Sequence, residues 1–148
     1  MDAQRAFAGM IKDAVAPALR DLGFRGSGQS YAIPSDEHWA LLGFQKRTSS
    51  TRERVLFTVN LTVVSKDNWA AIRETSPWQP ARPSPNFSVS GLPGAWSERI
   101  GSLLPNPTDF WWEIESERQV RSATADIIEK IRTYALPAMQ RQMNTLQL

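Results

Sequence analysis

Arg54 to Val64 is the segment that most limits what this chain can fold into. Val55, Phe57, Val59, Leu61 and Val63 occupy one set of alternate positions, and Leu56, Thr58, Asn60, Thr62 and Val64 the other. Side chains of a strand alternate between faces with period two, so the segment predicts a strand with one apolar face and one that mixes hydroxyl, amide and aliphatic groups. His38 to Arg47 alternates in the same way ahead of a polar turn at Thr48 to Thr51. An antiparallel hairpin centred near Ser50 and Thr51 puts His38, Ala40, Leu42 and Phe44 on the apolar face and Trp39, Leu41, Gly43 and Gln45 on the mixed one. Such a pair needs a layer of helices over its apolar face.

Both ends of the chain offer that layer. Phe7, Met10, Ile11, Ala14, Val15, Ala18, Leu19 and Leu22 recur at helical steps, with Pro17 predicting a kink or a split and Gly23 a stop. Near the other end, Ser116 and Gln119 fit a capping box, and Val120, Ala123, Ile127, Ile131 and Tyr134 stripe the helix that follows. Pro137 is expected to bend the chain into a last amphipathic stretch through Met139, Met143 and Leu146. Between the ends, residues 29–33, Trp96 to Leu104 and Phe110 to Glu115 read as further strands, and Ser65 caps a short helix over Asp67 to Glu74. Residues 76–94 carry Pro77, Pro80, Pro83, Pro85 and Pro93 with no period, which predicts a long loop. Trp78 and Phe87 are its expected anchors onto the sheet. No internal repeat is expected. The order predicts an α+β fold in one domain, 1–148, with an antiparallel sheet of about five strands and the N- and C-terminal helices packed on one face.

Five short runs carry a family resemblance: Leu22 to Phe24 (LGF), Gly43 to Arg47 (GFQKR), Phe57 to Val63 (FTVNLTV), Glu98 to Leu104 (ERIGSLL) and Asp109 to Ile114 (DFWWEI). In this order they resemble the bacterial domain-of-unknown-function family 4304. The resemblance implies antiparallel strands with flanking helices and implies no activity. The proline-rich segment stands outside the shared pattern.

Composition removes several functions. With no cysteine, disulfides, thiolate catalysis and cysteine-based zinc sites are excluded. A pI near 9.3 suggests a polyanion partner, but the formal net charge is only +2, and with one histidine little titrates between the carboxylates and the groups near pH 10. The pI therefore overstates the basicity, and a nucleic-acid partner is not expected. Lys46, Arg47, Arg52 and Arg54 do make the hairpin turn basic, beside rings that would stack on single strands, but Glu53 dilutes them. Asp2, Arg5, Lys12 and Asp13 interrupt the N-terminal apolar residues, and no apolar run reaches the length of a membrane span, so a cytoplasmic protein is the expectation.

Each possible site competes with a structural reading. His38 is the lone histidine, and no GxSxG elbow accompanies it, so a structural role is expected. Arg25, Gly26, Ser27 and Gly28 leave a helix and enter a strand, the reverse of a phosphate-cradling loop, and read as a flexible turn. Glu113 and Glu115 share a strand face roughly 6.5 to 7 Å apart, a spacing open to acid/base work, although a solvated polar face is the simpler account. Pro77, Pro80 and Pro83 around Arg82 have the spacing of a polyproline II ligand, against a rigid packed loop.

The mixed face is the most informative feature. Gln45, Thr58, Asn60 and Thr62 bring amides and hydroxyls beside Trp39 and Trp111, with Arg99 on a neighbouring strand. Aromatic bodies with a few adaptable polar groups suit a ligand cleft or a partner interface. The expected function is a noncatalytic binding module for a ligand or protein partner, with no cofactor and no metal. The alternatives are a small hydrolase-like or metal-assisted enzyme using Glu113 and Glu115, and a weak nucleic-acid binder.

Overall fold

The computed structural model of the protein describes residues 2–89 and 91–145. Leu146, the last position of the C-terminal stripe, lies outside them. Along the chain run α1 (Ala3–Met10), a π-turn (Ile11–Val15), α2 (Ala16–Asp21), β1 (Arg25–Ser27), β2 (Ser30–Ala32), β3 (His38–Lys46), β4 (Val55–Ser65), α3 (Lys66–Thr75), β5 (Ala95–Arg99), a 3-10 turn (Ile100–Leu103), β6 (Trp112–Ile114), α4 (Glu117–Lys130), a second π-turn (Ile131–Ala135) and α5 (Leu136–Thr145).

The central hairpin takes the expected register. Ala40 stands opposite Val63, Leu42 opposite Leu61 and Phe44 opposite Val59 on one face, and Trp39, Leu41, Gly43 and Gln45 oppose Val64, Thr62, Asn60 and Thr58 on the other. The N- and C-terminal helices cover the apolar face and bury it with Phe7, Ile11, Leu19, Ile127, Ile131 and Met139. Phe57 is wedged at its centre between Phe7, 4.7 Å away, and Trp112, 5.5 Å away and stacked. This is the α+β arrangement the sequence predicts.

Neither helix splits at its proline. The Ala16 N–H bonds back to the Ile11 carbonyl and the Leu136 N–H to the Ile131 carbonyl, five residues away in each case. The next residue is Pro17 or Pro137, which has no N–H to donate and whose ring crowds the carbonyl four residues back. A wider turn just before the proline relieves that crowding and lets the helix continue. Residues 11–19 (IKDAVAPAL) and 131–139 (IRTYALPAM) share one pattern, a local likeness that the expectation of no repeat passed over. Ile11 and Ile131, Val15 and Ala135, and Leu19 and Met139 occupy matching buried positions.

Among the described residues the sheet has six strands in the order β1-β2-β3-β4-β5, with β6 also on β4. The extra strand is β1, and it corrects the reading of residues 25–28 as a flexible turn. Its three residues are exposed and one is glycine, so no apolar period announces it; the Arg20 guanidinium donates to the Gly26 carbonyl at 3.0 Å and braces it. A second correction concerns Trp96 to Leu104, where the strand stops at Arg99 and the chain turns into a 3-10 turn that drives Ile100 into the core. The strand expected over Phe110 to Glu115 is shorter, Trp112–Ile114. β5 pairs with β4 from Asn60 to Val64, and β6 with β4 from Val55 to Phe57. The edge of β4 thus changes partner at Thr58 and Val59, and residues 100–111 loop out between the two partners.

The mixed face is largely covered too. α3, capped by the Ser65 hydroxyl at 3.0 Å from the Asn68 N–H, packs Trp69 and Ile72 against Val64 and Val89. The proline-rich loop lies over the rest, but not by the anchors expected. Trp78 and Phe87 are 77% and 76% exposed. Val89 is buried in their place, and the Trp69 indole donates to the Pro80 carbonyl at 3.0 Å. Pro85 and Asn86 sit so close to Gly43 that a β-carbon there would meet them at 2.6 and 2.7 Å.

Candidate functional site

The structure divides the predicted face into two. Trp39 lies at the α3 end, under the cations of Lys66 at 4.7 Å and Arg82 at 5.6 Å. Thr58 and Thr62 are fully buried and brace neighbours: Thr58 donates to the Phe110 carbonyl at 2.8 Å, and Thr62 shares a hydrogen bond with Ser97 at 3.2 Å. Gln45, Asn60, Arg99 and Trp111 come together at the other end.

Asn60 organises them. Opposite Gly43 on one side and Arg99 on the other, it has room for its carboxamide over the glycine and an edge strand within reach. Its Nδ2 donates to Gln45 Oε1 at 2.6 Å and to Asn86 Oδ1 at 3.0 Å, and its Oδ1 accepts from Arg99 Nε at 3.2 Å. The Arg99 guanidinium also donates from Nη1 to Asp109 Oδ1 at 3.0 Å and lies 4.9 Å from the Trp111 ring centroid, with Arg47 5.3 Å from the same ring. The Trp111 indole N–H and the Arg99 guanidinium hold the Asp109 carboxyl below the usual carboxylate range, with Arg47 adding to the effect. The indole N–H favours the charged form through proximity while making no well-aligned hydrogen bond of its own.

Above this cluster lies an open groove of about 580 Å³, lined among others by Asn60, Asn86, Arg99, Ser102, Thr108 and Asp109. Its volume falls in the range of small-ligand and peptide sites. Four of these positions, Asn86, Ser102, Thr108 and Asp109, were not on the predicted face. Asn86 sits in a Ser-Pro-Asn turn of the loop, and Asp109 arrives only because β4 exchanges β5 for β6, a long-range event with no local signature.

The other sequence candidates separate cleanly. His38 is 2% exposed, and neither ring nitrogen has a partner among the described residues, so no nucleophile or orienting carboxylate engages it. Glu113 and Glu115 do stand together, but Arg54 lies between them, 2.6 Å from Glu113 and 3.5 Å from Glu115. The hydrogen bond from Arg54 holds Glu113 below its ordinary value, while bonding to and repulsion from Glu113 push Glu115 up. Among the described residues no group of three or more histidines and acids is placed to hold a metal ion. The basic turn is occupied as well: Lys46 donates to Gln4 at 3.0 Å, and Arg52 stands 3.7 Å from Asp2.

A sheet backed by its terminal helices, with a polar groove on the opposite side, defines a class of small α+β domain rather than an activity. Residues 15–141 match the family model described as a domain of unknown function, DUF4304, and the chain belongs to that family. No curated protein and no solved structure matches it. Among the described residues no helix is long and apolar enough to cross a membrane.

Proposed function

We propose that this chain is a noncatalytic interaction module of the bacterial cytoplasm that binds a protein partner at the groove beside Asn60 and Arg99. One observation carries the reading: a buried carboxamide, a guanidinium and an aromatic ring are locked together beneath an open groove, and the rim loop leaves Phe87, next to the lining residue Asn86, in solvent. Burying a phenylalanine is worth about 1.5 to 3 kcal/mol, so a large ring left exposed near a preorganised polar site suits an interface. Capture of a partner by the tagged chain, and its loss on substitution of Arg99, tests the reading.

An enzyme built on Glu113 and Glu115 is the second reading, favoured by one observation only, that the two carboxyls are pushed in opposite directions. Arg54 occupies the space a substrate would need, and both side chains are well exposed, which weakens their leverage on a proton. Nucleic-acid binding is less supported, because the turn cations are engaged with Gln4, Asp2, Trp111 and the glutamates.

A further inference from the structure

Resting on the interaction-module reading, we infer that the group received by the groove is a carboxylate of the partner, taken by the unused edge of Arg99 with the Asn86 amide as second donor. A guanidinium carries five N–H groups. Nε is engaged with Asn60 and one N–H of Nη1 with Asp109, and the remaining three have no acceptor among the described residues. Arg99 lines the groove and is 37% exposed, so this edge is wet and reachable.

The second donor follows from orientation. Asn86 Oδ1 accepts from Asn60 Nδ2, which turns the Asn86 Nδ2 away from Asn60, and that nitrogen has no acceptor among the described residues. One side chain, Asn60, therefore holds both the guanidinium and the amide on the lining of one groove. The hydroxyls of Ser102 and Thr108 add further donors on the same lining. A wall rich in donors selects a ligand rich in acceptors.

Charge decides between a neutral amide and a carboxylate. Asp109 opposes an anion, but Arg99 and Arg47 both stand at the Trp111 ring, so two positive charges face one negative charge there. Glu98 also lines the groove, yet it stands opposite Leu61 on the apolar side of the register, so its side chain is directed away from the Arg99 face. Because Asn60, Asp109 and Trp111 already fix the guanidinium, little side-chain freedom is lost when it binds.

The test uses the full chain and four small probes at constant ionic strength in chloride, read by the NMR signals of the Arg99 Nε–H and the Asn86 side-chain amide. N-acetylglycine presents a chain-terminal carboxylate and N-acetylglutamic acid α-amide a side-chain one; N-acetylglycinamide and N-acetylglutamine α-amide are their neutral counterparts. The expected result is saturable shifts with the two carboxylates and none with the neutral pair, the tighter carboxylate naming the source. Arg99→Lys, which keeps the charge and loses the fork, should weaken binding at least about tenfold, and Asn86→Ala should weaken it less. Equal shifts with the neutral probes, or carboxylate effects no larger than those of added chloride, would overturn the inference. A chain that captures no protein partner yet passes this titration loses the module reading and keeps the carboxylate site. A captured partner that binds Arg99→Lys as tightly as wild type does the reverse.

Discussion

Asn60 and Arg99 face each other across β4 and β5, and the Asn60 carboxamide ties together the sheet at Gln45, the loop at Asn86 and the edge strand at Arg99. Asn60→Leu removes all three hydrogen bonds and leaves Gln45, Asn86 and Arg99 without it. Loss of a network of this kind costs about 1 to 3 kcal/mol, because partially buried partners stay unmatched. Urea denaturation should show that loss, together with faster proteolysis of the loop at 76–89 as Asn86 is released.

Gly43 tests how the loop is seated. A β-carbon at that position meets Pro85 and Asn86, so Gly43→Ala must push the loop off the sheet. A cost of about 1 to 3 kcal/mol is expected, as for overpacking elsewhere. In the same variant the Asn86 amide signal should move while those of α4 stay in place.

Besides the Trp111 indole, the His38 ring and the Tyr31 hydroxyl are buried polar groups with no hydrogen bond among the described residues. Replacing an unmatched polar group by an apolar one of similar shape is close to neutral or stabilising. His38→Leu and Tyr31→Phe should therefore unfold at the same urea concentration as wild type or higher. A fall in either midpoint equivalent to more than about 1 kcal/mol would show that the group is matched after all.

Arg54 governs the glutamate pair. Its hydrogen bond lowers the Glu113 pKa in the folded state, so the contribution it makes is present above the ordinary carboxylate range and is lost as pH falls through the folded value. Arg54→Met should raise the Glu113 pKa in an NMR titration. The stability difference between variant and wild type should shrink towards acid pH, and Glu115 should still titrate above Glu113.

Much of the fold is legible in the chain because its signals are local. Period-two alternation sets the register of β3 and β4, helical stripes place the terminal helices, and Ser116 with Gln119 announces the start of α4. What escapes is set by distant contacts. The exchange of β5 for β6 along β4 depends on the whole sheet closing, and β1 is held by an arginine from the preceding helix rather than by apolar burial. The loop anchors are misread for a related reason: hydrophobicity ranks Trp78 and Phe87 first, whereas the loop packs through Pro83 and Val89 and seats Pro85 and Asn86 beside Gly43. Only the Asn60 and Arg99 part of the groove is visible in advance, with Gln45 beside Asn60 by alternation, and Asn86 and Asp109 enter it only through the tertiary fold.

The most direct test of the interaction-module account is a native pull-down from the protein's own cells, nuclease-treated and at physiological salt, comparing wild type with Arg99→Ala and with the control Arg132→Ala, whose side chain pairs with Glu129. The account predicts a protein retained in stoichiometric amount by wild type and by Arg132→Ala, released by Arg99→Ala, and binding the purified wild-type chain directly in a titration. Retention of nothing by the wild-type chain, or equal retention of the same protein by Arg99→Ala, would contradict it.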